Sequence, residues 1–200
     1  MKGSLIIVGF FVLGTICGVC HLLPFDIAET NISYYALCAL MFSVGLSVGN
    51  DPQTLKNFRS LNPRLVFLPI ITKLGPLAGS AAVSLILTHR SITDCLAVGS
   101  GFGYYSLSSI FITEYKGAEL GTIALLANIS REILTLLAAP LLVRWFGNLA
   151  PISAGGATTM DTTLPIITRT AGQQFVVVSI FHGFVVDFSV PFLVTLFCSI

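Results

Sequence analysis

The feature that most constrains this chain is a series of long apolar runs joined by short polar turns. Residues 4–23 hold no Asp, Glu, Lys or Arg, and neither do 32–50 or 95–113. Residues 64–88, 120–143 and 174–199 are apolar with one or two charges each. A helix needs about 20 such residues to cross a hydrocarbon core of about 30 Å. Inside lipid it must also satisfy its own backbone groups, because no water is there to do so. The expected fold is all-α: a polytopic membrane helical bundle with about six or seven transmembrane segments, some broken or re-entrant. Lys2 ahead of the first run also suits a secretory signal, but no A-x-A site follows, so 4–23 reads as a retained helix.

Only 10% of the residues are charged, against about 25% in a soluble domain. The lipid bilayer is therefore one expected partner, and no basic cluster points to nucleic acid. Lys56, Arg59 and Arg64 form the densest positive stretch, which places the loop 52–63 in the cytoplasm. Cys17 and Cys20 have the C-x-x-C spacing without a surrounding βαβ pattern, so they read as small apolar residues rather than a redox or metal site. Pro69 and Pro76 predict a kink or break within 64–88, and Lys73 there either snorkels or answers an acid.

Two stretches depart from the apolar background. The first begins at Gly99-Ser100-Gly101-Phe102-Gly103, where clustered glycines invite an unwound turn in a helix. Tyr104, Tyr105, Ser106, Ser108 and Ser109 follow at once. Further on, Asn128, Glu132 and Thr135 recur at i, i+4, i+7 and share one helix face, with Arg131 at its border. Charges inside a membrane face a protein interior or a wet cavity. Arg131 and Glu132 either form an ion pair or line a transport path. The second stretch is 150–172, where Gly155 and Gly156 precede Thr158, Thr159, Asp161, Thr162 and Thr163. It suits an external loop or a re-entrant hairpin lining a cavity, with Asp161 either a helix N-cap or a site residue. His182, next to Gly183, is either a packed histidine or part of the same site. No sequence repeat stands out, although glycine-rich breaks near 45–50, 99–103 and 155–156 hint at a structural one.

The strings SGFGYYSLSSIFITE, NISRE, GGATTMDTTLPIITRTAG and HGF resemble the lysine exporter family LysO. The likeness covers most of the chain and is strongest from 97 to 191. It implies a bacterial inner-membrane, multi-pass transporter that moves L-lysine, and analogues such as thialysine, out of the cytoplasm. A more distant likeness reaches carriers with crossed, broken helices, such as cation/proton antiporters. Family members carry further membrane segments ahead of this region, and some bacteria split the family into a short and a long protein. This chain resembles the long one. The expected partner is a short membrane protein of the same family, or else a second copy of the chain. Where the family has an acid ahead of its Arg-Glu pair, this chain has Asn128. Asp187 lies outside the shared pattern.

Lysine presents one carboxylate and two ammonium groups, and all three need partners in the membrane. Glu132, Asp161 and Glu114 are candidates for the ammonium groups. Free N–H groups near Gly99 to Gly103 are candidates for the carboxylate. Tyr104, Tyr105 and the serines offer hydroxyls or cation–π contact. The candidate substrate-binding residues are thus Ser100, Gly101, Gly103, Tyr104, Tyr105, Ser106, Asn128, Arg131, Glu132, Thr158, Thr159, Asp161 and His182. Glu132 and Asp161 are the candidate proton carriers, and no cofactor or metal ion is expected. The alternatives are another carrier on the same scaffold, such as a cation/proton antiporter, or a structural subunit of a two-component transporter. An enzyme is not expected: Tyr-Asp, Gly-x-Gly-Asp and the P-loop lysine motif do not occur.

Overall fold

The computed structural model describes residues 12–14, 16–20, 35, 39, 42, 63–87 and 89–200. The expected runs at 4–23 and 32–50 fall largely outside these residues, as does the loop with Lys56 and Arg59.

Helix α1 is Leu68–Ser84, entered through a 3-10 turn at Pro63–Phe67. Pro69 stands in its first turn, where the missing N–H is no loss. Pro76 removes a ladder bond halfway along. Helix α2, Ile92–Gly99, starts where the Ser91 side chain accepts from the Asp94 N–H. Helix α3 is Tyr105–Lys116, and α4 is the long helix Ala118–Phe146. Helix α5, Ala150–Gly155, runs into a 3-10 turn at Gly156–Met160. Helix α6 is Leu164–Ala171, and α7 is Val176–Ser199.

Among the described residues, three stretches are long and apolar enough to cross a membrane: Leu65–Ser84, Ala118–Phe146 and Gln173–Ser199. The other helices are too short. At about 1.5 Å per residue, α2 and α3 are roughly 12 and 18 Å long. The segment expected over 95–113, with an unwound turn at its glycine cluster, forms this pair. The reason lies in the backbone between them, where Phe102 and Gly103 take φ of 45° and 95°. A right-handed helix cannot continue through such residues.

The far ends of α2 and α3 lie together. Lys116 Nζ is 3.6 Å from Asp94 Oδ1, and Arg90 pairs with Glu119. The chain thus enters and leaves the bundle interior at one end, where α4 starts. The second pair, α5 and α6, has its ends at the opposite end. There Ile152, Ile167, Ala171 and Val178 form one apolar cluster, with Leu65, Val143 and Phe175 against it. Helices α1 and α7 begin at that end and α4 finishes there. The main core lies between the two pairs. Phe102, Leu107, Ala124, Ala157, Val186 and Val190 meet in it, and each fully buried aliphatic side chain there is worth about 1.5–3 kcal/mol.

Candidate functional site

The two helix breaks meet tip to tip. The Ala157 N–H donates to the Phe102 carbonyl at 2.9 Å, joining the first break to the second. The approach is so close that a Cβ on Gly156 would fall on the Phe102 oxygen. Gly156 also takes φ 64° and ψ −126°, which side-chain-bearing residues avoid. Two pairs of short helices therefore touch at their turns, rather than two full-length broken helices crossing.

Helix α4 runs beside this contact and braces both breaks. Asn128 Oδ1 accepts from the Gly103 N–H at 2.7 Å, and its Nδ2 donates to the Ala124 carbonyl at 2.8 Å. One turn on, Arg131 serves the other break. Its Nε donates to the Ala154 carbonyl at 2.8 Å and its Nη2 to Ser153 at 3.0 Å. These carbonyls end α5, so the guanidinium sits where the helix dipole is negative. Arg131, which the sequence offers either as a partner of Glu132 or as part of a transport path, thus gives its guanidinium to backbone carbonyls of α5. Glu132 is fully buried, and Asn128 and Thr135 are buried with it along one face.

Threonines hold the second break. Thr158 Oγ1 donates to the Gly155 carbonyl and contacts Thr163 Oγ1 at 3.2 Å. Thr159 Oγ1 bonds the Gly156 and Ser179 carbonyls and lies 3.2 Å from His182 Nδ1. His182 Nε2 is 3.0 Å from Thr72 Oγ1, which donates to Ser153 Oγ at 3.0 Å. A buried polar chain thus links α1, α5, the 3-10 turn and α7 through His182. Asp161 is exposed at the end of that turn. Its carboxylate accepts from the Thr162 N–H, and Thr163, not Asp161, caps α6.

The remaining expected residues fall in different places. Ser100 is buried and donates back to the Ala97 carbonyl. Tyr104 is half-buried and senses Asp161 and Asp187. Tyr105 turns the other way, into a cluster with Leu125 and Ile129. Ser106 is half-buried in the first turn of α3. Glu114 is exposed near the outer end of α3 and stays apart from the breaks. The expected free N–H groups from Gly99 to Gly103 are fewer than the sequence suggests. The N–H groups of Ser100, Gly101, Gly103 and Tyr104 have acceptors within the protein, which leaves the Phe102 N–H as the candidate donor in that stretch. Further unused donors belong to the first turn of α3, as at any helix N-terminus.

Sequence reasoning missed Thr72, Ser153, Ser179 and Asp187. The hydroxyls carry no signal, since Ser and Thr commonly bond their own helix. Asp187, a lone acid in an apolar run, did carry one.

Two cavities flank the seam between α1 and α4. One, of about 370 Å³, reaches from Arg90 and Asp94 to Asn128. The other, of about 680 Å³, includes Thr72, Thr135 and Ser153. Arg131, Pro76 and Ala127 line both. Among the described residues no group of three His, Cys, Asp or Glu side chains is placed to hold a metal ion.

Comparison with known proteins bears on this geometry. The profile of the family described as Lysine exporter LysO matches residues 8–198. The chain is 36% identical over 196 residues to a protein of Escherichia coli K12 named Lysine exporter LysO. That match takes in 98% of this chain and 64% of the relative, so the chain spans less than two thirds of that protein's length. It is 35% identical over 196 residues to a Putative lysine exporter of Haemophilus influenzae, covering 98% of this chain and 96% of the relative. No solved structure matches. A family profile that covers nearly the whole sequence, over a helical bundle with membrane-length apolar helices, places this chain in the LysO lysine exporter family.

Proposed function

We propose that this chain carries L-lysine, and analogues such as thialysine, outward across the bacterial inner membrane in exchange for protons. The observation that carries this reading is the contact of the two breaks at Phe102 and Ala157, with Asn128, Arg131 and Glu132 beside it. Irregular backbone and buried charge are tolerated in a membrane only where they line a protein cavity. Both short-helix pairs are re-entrant, one from each side, and they bring a polar site to mid-membrane from opposite faces.

Each charge of lysine then has a partner. The carboxylate lies at the N-terminus of α3, near Ser106, where first-turn N–H groups and the helix dipole favour an anion. The ammonium groups go to the acids around the breaks, Glu132 and Asp161. Tyr104 covers the site with a ring and a hydroxyl. Thr158, Thr159 and His182 hold the second break in shape.

Moving one positive charge outward against a potential costs about 2.3 kcal/mol per 100 mV. Exchange for one inward proton removes that electrical term, and Glu132 or Asp161 would carry the proton. A short membrane protein of the same family, or a second copy of this chain, would complete the assembly along α1 and α4. The test is counterflow of labelled lysine in proteoliposomes. Uptake driven by internal lysine and altered by a pH gradient supports the reading. Sodium–proton exchange indifferent to lysine would move the protein to the antiporter class, and no transport without a partner would make it a subunit.

A further inference from the structure

The chain from α2 to α4 and the chain from α5 to α7 follow one plan. Each is two short helices around a break, then a long helix. Each second short helix ends at a glycine with similar backbone angles: φ 92°, ψ 166° at Gly117 and φ 113°, ψ 157° at Gly172. The two halves enter from opposite ends of the bundle, so they are related as inverted repeats. In secondary carriers that relation places the substrate at the interface of the repeats. Glu132 stands fifteen residues after Gly117, and Asp187 stands fifteen after Gly172. Glu132 is 0% exposed and Asp187 is 5% exposed. Asp187 is therefore the second half's counterpart of Glu132.

Its surroundings are informative. The neighbours Val186 and Val190 pack in the same core as Phe102 and Ala157, the residues that join the two breaks. The 3-10 turn that ends at Asp161 packs directly against α7, the helix that carries Asp187. Among the described residues, no Lys or Arg forms an ion pair with Asp187. A buried carboxylate in that condition is costly. The acid beside it, Asp161, makes matters worse, and a cation between them would relieve both.

We propose that Asp187 binds one ammonium group of the transported lysine and so selects a diamino acid over a neutral one. This rests on the lysine reading above. A substrate with two ammonium groups can occupy the acids of both halves at once. A neutral amino acid of the same length leaves one carboxylate buried without a cation, the kind of mismatch that gives a site strong discrimination.

The test uses the whole chain in proteoliposomes, with lysine and 2-aminohexanoate as probes. Asp187→Asn should raise the half-saturating lysine concentration about tenfold or more, the scale of one charge-assisted hydrogen bond. The preference for lysine over 2-aminohexanoate should narrow by a similar factor, and a merely structural residue would not move that ratio. A second measurement needs no variant. An apolar carbodiimide should label Asp187 of the wild-type protein, read by peptide mass, and lysine but not 2-aminohexanoate should protect it. Wild-type protein that exchanges lysine, with labelling indifferent to lysine and Asp187→Asn unchanged in both readouts, overturns this inference alone. Wild-type protein that exchanges no lysine overturns the exporter reading and this inference with it.

Discussion

Gly156→Ala tests the contact on which the site depends. Gly156 holds φ 64° and ψ −126°, a region where an alanine costs about 1–3 kcal/mol. The new methyl would also fall on the Phe102 carbonyl oxygen, a backbone atom that cannot swing aside. That oxygen accepts from the Ala157 N–H at 2.9 Å. Pushing it away leaves a buried donor and acceptor unpaired, at about 1–3 kcal/mol more. We expect a total loss of about 2–6 kcal/mol. The control is Gly79→Ala in α1, where a Cβ meets nothing within 4 Å and the residue is helical. That change should leave stability within about 1 kcal/mol of wild type, on the stabilising side. The assay is unfolding in mixed micelles titrated with dodecyl sulfate, followed by far-ultraviolet ellipticity, with lysine counterflow run in parallel. If Gly156→Ala unfolds at the same detergent fraction as Gly79→Ala, the tip-to-tip contact is not what holds the breaks.

Three further substitutions and one purification test the same reading. Gly101→Leu should abolish lysine counterflow with the protein still in the membrane, because even a Cβ there lies 2.5 Å from Asn128 Nδ2; normal efflux would show the first break to be roomier than described. Glu132→Gln should lower export at least about tenfold without loss of protein, and unchanged growth on thialysine would remove it from the pathway. Asn128→Asp keeps an acceptor for the Gly103 N–H but sets a carboxylate against the Ala124 carbonyl; it should cost about 1–3 kcal/mol, read as an earlier unfolding midpoint. Purification from native membranes should bring down a short membrane protein of the same family or a second copy of this chain, and full export by an isolated monomer would refute that.

Much of the fold was legible because lipid imposes a simple rule on sequence. A backbone without water must satisfy itself, so apolar length maps directly onto helices, and the spans Leu65–Ser84, Ala118–Phe146 and Gln173–Ser199 sit close to the runs at 64–88, 120–143 and 174–199. Glycine clusters mark breaks for an equally local reason, since Gly103 and Gly156 permit angles that other residues resist. What the local pattern could not carry was direction. An apolar stretch of 95–113 looks the same whether it crosses or turns back, and only the meeting of Asp94 with Lys116 shows that its ends lie together.

The site divides in the same way. The candidate residues were visible as costly groups in an apolar background: Asn128, Arg131, Glu132, Asp161 and His182. Their partners were not, because hydrogen bonding depends on neighbours distant in the chain. Arg131 beside Glu132 in sequence reads as an ion pair, yet its guanidinium lies over the Ser153 and Ala154 carbonyls of another helix. His182 reads as one isolated polar residue, yet Thr72, 110 positions away, meets its ring. Asp187 reads as a lone acid in an apolar run, and its correspondence to Glu132 comes from the matching order of helices in the two halves. Residue type alone marks which groups are too polar to face lipid, and which of them face one another follows from the packing of the helices, because desolvation cost is a property of a residue and its relief is a property of a contact.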